Sequence, residues 1–202
     1  MERARERLLS GGLLLGGLAL GLAIGWLAFQ VDWDGASTTH SGTPLFTTLS
    51  ARVGVSSAPA PVVGAPAPDF TLKTLDGETA SLSQFRGQPV LINFWATWCP
   101  PCRLEMPDLV RAYETHKAEG FVILGVNLTF QDSLSDVQAF VKEFNMTFPV
   151  LLDEDGNVTQ NLYRLMGLPL SVFVNREGTI TRLNLGAMTG EQIDEFVAEV
   201  LK

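Results

Sequence analysis

Cys99-Pro100-Pro101-Cys102 is the stretch whose residue types and spacing announce chemistry, because its two cysteines are the only ones in 202 residues. Two thiols three positions apart join in a small ring without unravelling a fold. The apolar run Val90 to Trp95 leads into the pair and a helix-like segment follows. That arrangement sets a dithiol at a helix N-terminus, where aligned peptide dipoles favour negative charge. The thiolate is the working nucleophile, and such a position lowers a cysteine's pKa. The residues point to thiol–disulfide exchange. A structural bridge is the plain alternative, but it closes so small a loop that it constrains the unfolded chain little. Zinc needs more ligands, and His116 alone does not complete a set of two cysteines and two histidines.

The intervening prolines refine the expectation. Cys99 takes the cap position and Pro100 the first helical position, where a missing N–H costs nothing and the fixed φ is preorganised. Pro101 removes a second donor, so the amide of Cys102 is the first one free to meet the Cys99 sulfur. With fewer amides to hold it, the thiolate is stabilised less than in the most oxidising dithiols. Cys99 is the expected exposed attacker, and Cys102 the shielded thiol that cleaves the resulting mixed disulfide.

Phe94-Trp95-Ala96-Thr97-Trp98-Cys99-Pro100-Pro101-Cys102, followed by Arg103-Leu104-Glu105-Met106-Pro107, resembles the active site of the thioredoxin superfamily. Within it, the match is to the membrane-anchored TlpA/ResA-like branch, which overlaps with AhpC/TSA-type redoxins, and it runs from about Gly64 to Lys202. The resemblance implies an α/β thioredoxin-like fold: a central mixed sheet flanked by helices, with an N-terminal hairpin extension and a βα-type insertion. It implies disulfide reduction outside the cytoplasm, often of apocytochrome c cysteines before haem attachment, with no cofactor and no metal.

The same resemblance assigns further residues. Pro169 matches the cis-proline that faces the cysteines, and the backbone of Leu168 before it pairs with substrate as a short strand. Glu105, three residues beyond Cys102, matches an acidic residue that influences cysteine acidity and proton transfer. A carboxyl there can accept the Cys102 proton as the mixed disulfide resolves. Trp98 is expected beside the disulfide, shaping the docking surface, and Trp95 in the core. Pro107 matches a kink proline five residues beyond the second cysteine. Asn93 departs from ordinary thioredoxin, which has a buried aspartate six residues before the first cysteine. Asparagine shuttles no proton at neutral pH, and the expectation moves to Glu105. On the residues alone, Pro169 also reads as an ordinary turn and Glu105 as a solvated helix glutamate.

The elements that must position these residues follow from pattern. Phe70-Thr71-Leu72 and Glu78-Thr79-Ala80 flank the turn signal Asp76-Gly77 as a hairpin. Val90 to Trp95 and Phe121 to Leu128 read as buried strands. Leu104, Leu109 and Tyr113 recur at helical spacing between Pro101 and His116, with Pro107 interrupting. Ser133 or Ser135 can cap a helix to about Phe144. A strand at Phe148 to Leu152 leads through Asp155-Gly156 to a helix reaching about Leu165. Strands near Ser171–Asn175 and Thr179–Leu185 and a helix from Thr189 or Gly190 close the chain. Alternating strands and helices argue for one α/β domain, residues 64–202.

Upstream, Arg3, Arg5 and Arg7 precede an uncharged stretch from Leu8 to Phe29. At about 1.5 Å per residue it is long enough to cross a hydrocarbon core of about 30 Å. Residues 1–7 are therefore expected in the cytoplasm, 8–29 as a transmembrane signal anchor, and everything after it on the far side. A cleavable signal peptide is the rival reading. Gly17, Gly21 and Gly25 have a spacing that lets membrane helices approach, although glycine is common in such helices. Residues 30–63 read as a flexible extracytoplasmic linker; Ser57-Ala58-Pro59-Ala60-Pro61 and Gly64-Ala65-Pro66-Ala67-Pro68 have the composition of extended, unpaired chain.

The net charge of −8 gives no basic footprint for nucleic acid. His40 and His116 suggest neither a metal nor a catalytic dyad. Expected partners are disulfide-containing client proteins, an upstream membrane electron donor and the membrane itself, with a monomeric catalytic domain. Two other functions compete with the reductase. A thiol peroxidase usually has a threonine three residues before its reactive cysteine; here that position is Ala96, and Thr97 is one place off. A copper carrier would use both thiols as soft ligands, with Met106 or Met166 as a third.

Overall fold

The computed structural model describes residues 60–202. The expected cytoplasmic tail, the membrane anchor at 8–29 and nearly all of the linker lie outside the described residues. Among the described residues no helix is long and apolar enough to cross a membrane.

Seven strands form one mixed sheet: β1 (Thr71–Thr74), β2 (Thr79–Ser81), β3 (Val90–Trp95), β4 (Val122–Asn127), β5 (Val150–Leu152), β6 (Leu170–Val174) and β7 (Ile180–Leu185), in the order β2-β1-β5-β4-β3-β6-β7. β3, β4 and β5 run parallel; the remaining pairings are antiparallel. The hairpin β1–β2, which the sequence predicts, adds through β1 to the free edge of β5. Its turn holds Gly77 at φ 88°, a conformation that glycine adopts without a Cβ clash.

Helices α1 (Pro100–His116), α2 (Leu134–Phe144) and α3 (Gly190–Val200) complete the fold. The crossovers through α1 and α2 both step from one parallel strand to the next in the same direction, so right-handedness puts both helices on one face of the sheet. Their buried side chains Met106, Leu109, Val137 and Phe140 share a core with Ile193 and Val197 of α3 and with Leu91, Trp95 and Phe173 of the sheet. The alternate strand positions Val90, Ile92 and Phe94 face the other way, against Phe70, Leu82, Val158 and Tyr163. Burial on both faces explains why β3 is apolar throughout except at Asn93.

Local signals set the helix ends. Ser133 caps α2 by accepting from the Asp136 amide, and Thr189 caps α3 reciprocally with Gln192. α1 continues through Pro107 to His116 rather than ending there.

Three expectations need correcting. Gly64-Ala65-Pro66-Ala67-Pro68 is not unpaired linker. It lies along the β6–β7 turn, with Gly64 N–H on Ile180 O (2.8 Å), Ile180 N–H on Ala65 O (2.9 Å) and Ala67 N–H on Gly178 O (2.9 Å). Prolines 66 and 68 alternate with donating residues, so an edge position tolerates both. Leu104 does not join the core; it is 76% exposed, and the buried face of α1 is Cys102, Glu105, Met106, Leu109 and Ala112. A glutamate occupies a core-facing position, which hides the true apolar stripe from a periodicity count. Finally, the segment after Gly156 is a six-residue π-helical turn, Asn157–Leu162, with Tyr163 N–H bonding Val158 O at 2.8 Å. Asp153 starts it by accepting from the Val158 and Thr159 amides, and Tyr163 ends it with its hydroxyl on Pro68 O.

Candidate active site

Cys99 and Cys102 are joined by a disulfide where β3 hands over to α1. Cys99 is the cap residue, in extended conformation, and its Sγ accepts the Cys102 N–H at 3.2 Å. This is the donor that the two prolines leave free. Both cysteines are enclosed, Cys99 at 3% and Cys102 at 0% exposure, so the expected exposed attacker is covered in the disulfide form. The difference between them lies in access. A groove of about 530 Å³ is lined by Cys99, Trp98 and both motif prolines, but not by Cys102.

The groove's far wall comes from the loop after β4 (Leu128, Phe130), from Thr159 and Gln160 of the π-helical turn, and from Leu165 to Leu168. Its lining contains no charged side chain. Trp98 is 54% exposed, with its indole N–H on Gln131 O at 3.0 Å; it stands as one wall of the groove. Trp95 is fully buried against Phe140.

The Leu168–Pro169 peptide is cis. Pro169 O accepts from Gly186 N–H, tying the loop to the end of β7. Among the described residues, the backbone N–H and C=O of Leu168 have no hydrogen-bond partner. Leu168 lines the same groove, the placement that strand addition to a client would use.

Glu105 lies one turn beyond Cys102 on the buried face of α1 and is 1% exposed. Burial pushes its carboxyl up to about 7, against two hydrogen bonds that lower it, from Met188 N–H and from the Asn93 amide. A group of that strength exchanges protons near neutrality, as general acid–base chemistry asks. The solvated-glutamate alternative fails on its burial.

Sequence reasoning missed Asp132. Its carboxylate accepts Thr97 N–H at 2.8 Å, Thr97 O–H at 2.6 Å and Asn127 Nδ2–H at 3.0 Å, fixing the segment just before Cys99. No motif joins Thr97 to Asp132; only the parallel pairing of β3 and β4 does. The Thr97 hydroxyl, one place off for a peroxidase, is thereby committed to Asp132. Met106 is buried in the core while Met166, at 89% exposure, sits on the groove's outer lip. Among the described residues no cluster of three histidine, cysteine or acidic side chains is arranged to hold a metal.

The AhpC/TSA family model matches residues 63–183. The thioredoxin-like protein YneN of Bacillus subtilis (strain 168) is 36% identical over 158 residues, 77% of this chain and 88% of its own length. The thiol-disulfide oxidoreductase ResA of Geobacillus kaustophilus (strain HTA426) is 38% identical over 138 residues, 68% of this chain and 78% of its own. Among solved structures, StoA from Bacillus subtilis superposes with a TM-score of 0.57 at 33% identity, over 66% of this chain and 98% of its own.

Proposed function

The chain belongs to the AhpC/TSA family and is a thiol-disulfide oxidoreductase of thioredoxin-like fold, and we propose that it runs in the reducing direction on protein disulfides. The observation that carries this reading is the Cys99 sulfur at the head of α1, which receives one amide and opens on a groove beside unpaired Leu168 backbone. With two of the neighbouring amides replaced by prolines, the Cys99 thiolate is only moderately stabilised. A dithiol whose reduced form is not strongly stabilised gives its electrons up readily.

In the reduced protein, the Cys99 thiolate attacks one sulfur of a client disulfide. A Cys99–client bond forms, the client S–S bond breaks, and the departing client sulfur takes from solvent the proton that Cys99 released on ionising. Glu105 as carboxylate then accepts the proton of the Cys102 thiol. The Cys102 thiolate attacks Cys99, closing the Cys99–Cys102 bond and releasing the second client sulfur, to which the proton is returned. Two electrons and two protons pass to the client, and the protein is left as the disulfide. Trp98, Leu168 and Pro169 hold the client strand during the exchange.

The proposal extends to location and partners. The uncharged run Leu8 to Phe29, with arginines before it, tethers the catalytic domain to the outer face of the cell membrane. A membrane electron donor re-reduces the dithiol. Apocytochrome c cysteines are one client class, on family resemblance. The test of direction is the reduction potential of the full chain, equilibrated against glutathione or dithiothreitol buffers. A value of about −250 mV or lower supports the reductant; one near about −120 mV reverses the direction.

A further inference from the structure

Asn93, Glu105 and Ser171 form a polar trio in the core, at 0%, 1% and 0% exposure. Asn93 on β3 and Ser171 on β6 are register partners, on the face of β3 that also presents Leu91 and Trp95 to the helices. Glu105 comes down on them from α1. The Asn93 Nδ2 group uses both hydrogens, one on Glu105 Oε1 at 2.9 Å and one on Ser171 Oγ at 3.0 Å. The other carboxylate oxygen, Oε2, takes the Met188 N–H at 2.9 Å. Among the described residues, Asn93 Oδ1 has no hydrogen-bond partner.

That orphan atom identifies the state for which the trio is built. Turning the amide over would leave two buried N–H groups unpaired in place of one acceptor, and it would face an oxygen to the Glu105 carboxylate. Buried orphan carbonyls are better tolerated than orphan donors. The observed orientation therefore suits an ionised Glu105, and Ser171, by taking the second hydrogen, holds the amide in it. Where thioredoxin-like sites are expected to have an ionisable group, this chain has a fixed donor.

We propose that Asn93, oriented by Ser171, is a positioning residue that sets how readily Glu105 gives up its proton, and through it the rate at which Cys102 resolves the mixed disulfide. The inference rests on the role given to Glu105 above. A hydrogen bond to a charged acceptor is among the stronger ones available in a core, and here it opposes burial, which alone would keep the carboxyl protonated at neutral pH. Glu105 is met by Asn93 from β3, with Ser171 beyond it on β6, and by the Met188 amide ahead of α3, while Cys102 lies three residues earlier on the same buried face of α1. No charged side chain pairs with it among the described residues.

The test follows the protonated Glu105 carbonyl stretch by infrared difference spectroscopy across pH 5–9. In parallel, the single-turnover rate at which the reduced full chain is oxidised by glutathione disulfide is measured over the same range. Glu105→Gln assigns the band and removes the inflection from the rate profile. Asn93→Leu shifts both the band's midpoint and the rate inflection upward by about one pH unit. Ser171→Ala, which keeps the amide but frees it to turn, shifts them the same way by less. Asn93→Leu on the Glu105→Gln background moves nothing further. If either single variant lowers thermal stability while leaving the midpoint in place, Asn93 is only a packing residue and the proposal is overturned. If the rate inflection survives Glu105→Gln while the band is lost, the role of Glu105 itself is wrong, a distinguishable failure that takes this inference with it.

Discussion

Asp132 and Thr97 are 35 residues apart and are joined twice, through the Thr97 amide at 2.8 Å and its hydroxyl at 2.6 Å. The same carboxylate takes the Asn127 side chain at the end of β4. The peptide that carries Cys99 out of β3 is thus pinned to the loop after the neighbouring strand. Asp132→Ala removes the acceptor of both Thr97 donors and leaves the Asn127 amide only its long bond to Trp95 O at 3.5 Å, and each loss of this kind costs about 1–3 kcal/mol. The nucleophile also loses its orientation, so the rate of client disulfide reduction is expected to fall by about ten-fold or more. Stopped-flow tryptophan fluorescence together with thermal unfolding checks both. Lower stability with an unchanged rate would show that the clamp does not position Cys99.

The groove reaches Cys99 and not Cys102, and the order of attack proposed above rests on that difference in access. Cys102→Ser is expected to accumulate a covalent adduct with a protein disulfide substrate, visible by non-reducing electrophoresis and released by dithiothreitol. Cys99→Ser forms none and loses all exchange activity. Adducts accumulating in Cys99→Ser instead would invert the roles.

The parts of the site legible in the sequence are those decided within a few residues of chain. The cap at Cys99, the Cys102 amide bond and the helix caps at Ser133 and Thr189 depend on local backbone, and each lies where its residue type predicts. The cis peptide before Pro169 was legible only through family resemblance. Long-range partnerships escaped. Asn93 meets Ser171 because of the β3–β6 register, and Thr97 meets Asp132 because β3 lies beside β4. Leu104 misled because a buried glutamate stands in the stripe where an apolar residue is the usual occupant. The proline-rich strip at 64–68 misled because composition cannot reveal that the β6–β7 turn offers it hydrogen bonds.

Gly125 sits in the middle of β4 with no room for a side chain. A Cβ there would come within 2.9 Å of the Phe148 ring and 3.3 Å of Trp95 Nε1. Both rings are buried, so neither yields without disturbing the core beneath the active-site strand. Gly125→Ala is expected to cost about 1–3 kcal/mol, in the range of an overpacked core, with the redox motif chemically intact. Denaturant unfolding of the oxidised protein measures it; a variant as stable as the parent would show that Phe148 rotates away freely.

Glu105 couples stability to pH, and the sign follows from its raised carboxyl. With a folded value of about 7 against an ordinary 4.5, the folded protein binds more protons than the unfolded chain between those limits. Stability is therefore full at and below about pH 4.5 as far as this group is concerned, and it declines as pH rises toward 7. The decline amounts to about 3 kcal/mol at most. Glu105→Gln removes the titrating group, so the slope between pH 5 and 7 should disappear in thermal unfolding of the disulfide form. The variant should gain at pH 8 by less than the full amount, because one of the donors, Met188 N–H or the Asn93 amide, would then face an NH2 group. A slope that persists unchanged in Glu105→Gln would place the pH dependence elsewhere in the fold and remove the basis for treating this carboxyl as the neutral-pH proton acceptor.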